Sequence, residues 1–279
     1  MKQFTSCIVL LATAVLPAQD KPVLARLVDA VAPSIVTVRV VAEVAMPAMM
    51  GGEKHEMKQE TLGTIVDKSG LVLVPTGALD PGAQMSMMFG GEAEMESTVT
   101  SLKILIGDEA KELTGTVVAK DDKLGFSFVK ISDLGDRVLA PLSFAQKGEL
   151  AIGAEVYAVR RLPEAYDFAP IVVRNEVAGR IKKPRSAWVL GQAAEASSPV
   201  FTADGVMCGV VAQIEVAGQG EDQQSMMMHM LGGGGSGPMT FMVSPQVVAN
   251  SIAQALEAAA KTPEKGGEKV GEKKDGDGR

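Results

Sequence analysis

The sequence predicts an all-β chain: two antiparallel β-barrels of the six-stranded type, packed side by side, with a short helix at either end. Three features predict it. Short apolar runs rich in β-branched residues recur between Ser34 and Val243, turns bearing Gly, Asp or Pro separate them, and helical periodicity is confined to the ends. Of the 279 residues, 46% are hydrophobic and 22% charged, which is apolar matter enough for one two-lobed β domain or two small ones. The formal net charge is -7. Nucleic acid is therefore not an expected partner, because phosphate binding needs a basic footprint. Aromatics are only 4% of the chain, whereas Met occurs 16 times.

Residues 1–18 read as a cleavable export signal: Lys2 is the charged start, residues 7–16 are the apolar run, and Leu16-Pro17-Ala18 offers a small residue for cleavage. The run is too short to cross a bilayer core of about 30 Å, so a periplasmic or secreted chain without a stable membrane anchor is expected. Cys7 leaves with the signal. Cys208 then stands alone, no internal disulfide forms, and a buried inert thiol is the expectation.

Asp20-Lys21-Pro22 opens a helix, Asp as cap and Pro in the first turn, with Val23, Leu24, Leu27, Val28 and Val31 on one face until Pro33 stops it. Residues 34–44 alternate as a strand. Residues 45–60 read as a loop, Met-rich and then charged. Strands at 61–66 and 71–74 flank the turn Asp67-Lys68-Ser69-Gly70, and residues 81–97 read as a second Met-rich loop. Residues 99–106 and 113–118 pair about Gly107-Asp108, and a strand closes on Val129-Lys130-Ile131. Residues 134–148 connect the lobes. Residues 153–159 open the second lobe, 171–181 read as a strand pair, and Trp188-Val189-Leu190 follows.

The next stretch is a β-hairpin. The runs Pro199-Val200-Phe201 and 206–211 flank Asp204-Gly205, a tight-turn signal needing positive φ. Pro199 has no N–H and suits a strand start, with the small residues 194–198 before it as an exposed loop. Residues 215–238 read as a long polar loop, 239–243 as the last strand, and Ser244-Pro245 as the cap of a helix through Val247, Val248, Ile252, Ala255 and Leu256. Residues 261–279, a mixture of Lys, Glu, Gly and Asp, have almost nothing to bury and read as a disordered tail.

This hairpin resembles the segment G-N-S-G-G-P-L-V…D-G-x-V-x-G-V of the trypsin-like serine proteases of the HtrA (Deg) type. Pro199, Val200, Phe201, Asp204, Gly205, Val206, Gly209 and Val210 fall in register. Further segments resemble that family in the same order. They are Ala32-Pro33-Ser34-Ile35-Val36 after the first helix, Gly70-Leu71-Val72-Leu73, residues 119–131 (the family's D-x-x-x-D-L-A-x-L-K-I), residues 153–159 and residues 239–243. The likeness covers about residues 20–258. It implies a chymotrypsin/trypsin-like double barrel over 19–260, with lobes at about 34–133 and 140–243 and no room for the peptide-binding PDZ domain that relatives often carry.

The same resemblance implies where the chemistry would sit. Gly77 falls at the position of the general-base histidine, Gly125 at that of its orienting aspartate, and Ala196 at that of the serine nucleophile. Ala194, Glu195 and Ala196 are the oxyanion-loop equivalents. Peptide hydrolysis on such a fold needs a hydroxyl, an imidazole to take its proton and a carboxylate to fix the tautomer. Ser197 and Ser198 adjoin the nucleophile position, but a loop serine without a base bonds to backbone instead. The family's glycines permit backbone angles that Ala194, Ser197 and Ser198 resist.

The expected function is that of a pseudoprotease: an exported protease-like scaffold or regulator that binds a protein or peptide without cutting it and needs no cofactor. Self-association, or association with an active protease, belongs to the same expectation. Two alternatives stand beside it. Thioethers and imidazoles at Met46, Met49, Met50, His55, Met57, Met228, His229 and Met230 would suit Cu(I), although flexible apolar loops explain the methionines more simply. The other is a serine endopeptidase with a non-standard site.

Overall fold

The computed structural model describes residues 21–47, 51–88, 95–109, 111–145, 150–213 and 240–261. Strands β1 (Ile35–Ala45), β2 (Lys54–Asp67), β3 (Leu71–Pro75), β4 (Ser97–Ile106), β5 (Leu113–Asp121) and β6 (Phe126–Ile131) close one barrel, in the order β1-β2-β3-β6-β5-β4. Strands β7 (Glu155–Arg161), β8 (Pro170–Ile181), β9 (Ala187–Leu190), β10 (Pro199–Phe201), β11 (Met207–Gln213) and β12 (Thr240–Val243) close the second, in the order β10-β11-β12-β9-β8-β7. The second order, read backwards, is the first shifted by one barrel's strands. Both lobes thus follow a single antiparallel path, the chymotrypsin-like arrangement. Three α-helices accompany the barrels among the described residues: α1 (Val23–Val31), α2 (Pro81–Met88) and α3 (Pro245–Lys261).

Alternation builds each barrel. Along β1, Val36, Val38, Val40, Ala42 and Val44 all point inward and are buried, so a slip of one residue would turn every one of them outward. Val36, Val38 and Val40 meet Ile65, Val72, Ile104 and Val129 in the first barrel's interior. The second interior is smaller, formed by Val156, Val177, Val200, Val211 and Met242. There Gly209 allows the close approach of β12: a Cβ on it would lie 2.3 Å from the Val243 carbonyl oxygen.

Between the lobes lies a third apolar cluster. Leu71, Leu73, Phe126 and Phe128 come from the first barrel, Val210, Ala212, Phe241 and Val243 from the second, and Val248, Ile252 and Ala255 from α3. At the other end of the chain, Leu27 and Val31 of α1 pack on Tyr157, Val159, Phe201 and Met207, all in the second lobe. Polar links reinforce the seam. The Arg161 guanidinium donates to the carbonyls of Ala32 (2.8 Å), Ile35 (2.7 Å) and Phe168 (3.0 Å). Arg39 of β1 pairs with Glu60 at 2.7 Å, Glu112 at 2.8 Å and, across the lobes, Glu164 at 2.5 Å.

Four expectations need correction. The charged half of the loop expected at 45–60 is strand: β2 begins at Lys54, opposite Ala45, and the β1–β2 hairpin extends as an arm. Residues 54–60 there are exposed or half-buried, so solvent on both faces erased the period-two signal. Part of the loop expected at 81–97 is α2, started by the Asp80 carboxylate, which accepts from the Ala83 N–H at 3.1 Å and from the Ser97 hydroxyl at 2.6 Å. The pair expected at 171–181 is one strand, β8, which borders both β7 and β9 and absorbs a bulge near Val177. Finally, Pro22 is itself the N-cap of α1 and makes no side-chain cap bond; Asp20 lies outside the described residues.

Candidate functional site

Strand β3 ends at Pro75 and the chain turns through a single 3₁₀ turn, Thr76–Leu79, which carries Gly77. The turn is tied to the head of β6: the Thr76 N–H donates to the Gly125 carbonyl at 2.9 Å, and the Thr76 and Ser127 hydroxyls bond at 3.0 Å. Gly125 has φ +65°, a left-handed conformation that glycine takes freely and an aspartate less readily. Both glycines border one side chain of the other lobe, Gln213 at the end of β11. A Cβ on Gly125 would lie 2.8 Å from Gln213 Cβ and 3.5 Å from its Oε1, and one on Gly77 would lie 4.0 Å from that Oε1. The Gln213 N–H, in turn, donates to the Leu124 carbonyl at 3.0 Å.

Two more carboxamides surround the turn. Gln84 of α2 places Nε2 3.2 Å from where a Gly77 Cβ would be, and the Gln59 amide donates to the Ala78 carbonyl. The positions matched to base and orienting acid are thus together, with neutral amides around them. A carboxamide both donates and accepts hydrogen bonds but does not take up a proton near neutrality.

Ala196 sits on a loop anchored to the same strand, β11. The Ser197 N–H donates to the Val211 carbonyl at 2.7 Å, and the Val211 N–H donates back to the Ser198 carbonyl at 2.9 Å. Those bonds pull residues 197 and 198 into the fold, so the latter part of the loop expected to be exposed is buried. Ser197 also takes the angle it was expected to resist, with φ +66°. Its buried Oγ has no hydrogen-bond partner among the described residues and faces a small recess lined by Ile35, Leu62, Thr64, Val159 and Ala196. Ala194 and Ala196 are half-buried, and Glu195 forms an ion pair with Arg160 of β7.

The remaining candidates lie elsewhere. His55 and Met57 occupy the outer part of β2, opposite Val44 and Ala42; His55 is exposed and Met57 half-buried. Met228, His229 and Met230 lie outside the described residues, as do Met49 and Met50, the segments expected to be signal and polar loop, and the expected tail but for Lys261, which ends α3. Among the described residues, no group of three or more His, Cys, Asp or Glu side chains is placed to hold a metal ion. No helix among them is long and apolar enough to cross a membrane. Burial, with Asp204 nearby, pushes the half-buried Cys208 thiol up to about 11, so at neutral pH it stays a thiol.

Gln213 is the residue that sequence reasoning missed. It is the one polar side chain ending the apolar run Val210-Val211-Ala212, and nothing local indicates that it faces the first lobe. Set against models of protein families and against curated proteins, the chain matches none. The double barrel is chymotrypsin-like.

Proposed function

We propose that this double barrel is a pseudoprotease, a protease-like scaffold that holds a protein or peptide ligand without hydrolysing it. The observation that carries the reading is Gln213, whose side chain borders both Gly77 and Gly125 where a trypsin-like enzyme would need imidazole and carboxylate. A serine nucleophile without its base is the weak nucleophile of ordinary water chemistry, and Ala196 supplies no hydroxyl at all. The burial of Ser197 and Ser198, with their backbone groups engaged by Val211, argues against either as a substitute. Around the Thr76–Leu79 turn, the carboxamides of Gln59, Gln84 and Gln213 supply groups that match a peptide backbone's own donors and acceptors.

Incubation of the purified chain with unfolded casein, alongside a fluorophosphonate probe, tests the proposal. Neither cleavage nor labelling is expected, and Ala196→Ser alone restores neither. Casein cleavage that disappears in Ser197→Ala or Ser198→Ala would overturn it.

A further inference from the structure

On the α3 side of the seam, beside Gly125, the β5–β6 turn with Leu124, the polar face of α3 and the β8–β9 hairpin enclose an open groove of roughly 510 Å³. That volume lies within the range of small-ligand clefts, and an extended peptide of a few residues fits it. Its walls come from both barrels. Lys120 and Lys123 stand on the first-lobe side, Arg185 on the second, and Asn250 and Gln254, one helical turn apart, line the α3 side between them.

The charges are unevenly engaged. Elsewhere four arginines are neutralised in place, Arg39 by three glutamates, Arg137 by Glu109, Arg160 by Glu195 and Arg174 by Glu155, while Arg161 is spent on carbonyls and Arg180 on Ser186 and the Trp188 ring. Lys120, Lys123 and Arg185 have no carboxylate partner among the described residues, although two aspartates line the same groove. Asp121 is turned to Ser251, whose hydroxyl donates to Oδ2 at 2.5 Å, while Asp122 is exposed. Lys182 and Lys183 sit beside Arg185, with no acid between residues 180 and 186. Three cations against two carboxylates give the groove lining a formal charge of +1 in a chain of net charge -7, and the cations, held in no ion pair among the described residues, add a local positive potential.

We propose that this groove is a second ligand site, one that takes an extended acidic peptide segment. Lys120, Lys123 and Arg185 meet its carboxylates. Asn250 and Gln254 meet main-chain groups, and Asp122 accepts a backbone N–H. The aspartates select against a uniform polyanion, which would have to lie beside them, whereas a peptide alternates donors with its charges. This site stands independently of whether the seam hydrolyses anything.

Fluorescence anisotropy on the whole chain with a labelled Glu-Gly repeat peptide tests it, with a Lys-Gly repeat and inorganic polyphosphate as the other arms. The expected result is saturable binding of the Glu-Gly peptide only, weakened by added salt. The double variant Lys123→Gln/Arg185→Gln should weaken it by about tenfold or more, the scale of losing a charge-assisted hydrogen bond. Arg174→Gln, on the same lobe but paired with Glu155, should leave it unchanged, and near-ultraviolet circular dichroism of Trp188 checks that each variant is folded. Equal binding of the two repeats, tighter binding of polyphosphate, no binding at all, or a folded double variant with undiminished affinity would each overturn the proposal.

Discussion

At Gly125 an aspartate would meet two obstacles, one of angle and one of space. The residue sits at φ +65°, and its Cβ would approach Gln213 Cβ to 2.8 Å and the Gln213 carbonyl oxygen to 3.0 Å. Gly125→Asp should therefore lower stability by about 1–3 kcal/mol in urea unfolding, the usual cost of a strained backbone position. It follows that rebuilding a triad by substituting only Gly77, Gly125 and Ala196 leaves Gln213 in the way. Asp67 offers a second test at this scale. Hydrogen bonding from the Ser69 side chain outweighs the opposing effect of burial and, with the Ser69 N–H at 2.8 Å and the nearby Lys130 and Lys68 charges, holds the Asp67 carboxyl below the ordinary carboxylate value. A depressed folded value means the stabilisation is fully present above the ordinary carboxylate range and fades as pH falls through the lowered one. Asp67→Asn should thus be less stable than wild type at neutral pH, and the gap should close in strong acid, as denaturant midpoints across that range would show. Single positions were legible unequally. Asp204-Gly205 announces its turn, and Gly205 takes φ +86°, whereas the role of Gln213 depends on a partner strand far away in the chain.

Elements were readable where burial sets them apart from their flanks. β1 alternates buried and less buried residues along its outer half, whereas β3 and the β10–β11 hairpin are buried almost throughout and follow from short β-branched-rich runs bounded by turn chemistry. The arm at 54–60 lacks that contrast, since neither face is buried, and composition alone suggests a loop. Helix α2 is hidden differently: its run of methionines has no helical periodicity, yet Asp80-Pro81 carries the same cap-then-proline signal as Ser244-Pro245. β8 reads as two strands only if Asn175-Glu176 is taken as a turn; instead both residues pair across to β7. Among the links between elements, Arg161 donates to three carbonyls at once. Arg161→Ala should cost about 1–3 kcal/mol, because the Ile35 and Phe168 carbonyls lose a charged donor and the Ala32 carbonyl keeps only the Ile35 N–H. The loss would be read as a lowered urea midpoint. Lysine in its place should rescue only part of it, since an ammonium does not reproduce the guanidinium fork.

The molecule as a whole is bound by the cluster between its lobes. Leu73 on one side and Phe241 on the other belong to the same apolar mass, so neither barrel should melt alone. Trp188, in β9, is the chain's one tryptophan and reports on the second lobe. Leu73→Ala, in the first lobe, is expected to lower the Trp188 fluorescence midpoint as much as the far-ultraviolet one, at a cost of about 2–5 kcal/mol. Separate midpoints for the two signals would show that the lobes unfold independently. The repeated strand order follows from the ordered motif resemblance and not from hydrophobic alternation, which fixes which face is buried and leaves the path between strands free.

The placement of the two end helices has a mechanical corollary. α1 precedes the first barrel but rests on the second, while α3 follows the second but also leans on β5 and β6 of the first. Each half of the polypeptide therefore wears a strap made by the other. Hydrolysing the backbone once, in the crossing between Ile131 and Glu155, should leave two fragments that migrate as one particle in gel filtration and separate only when denatured.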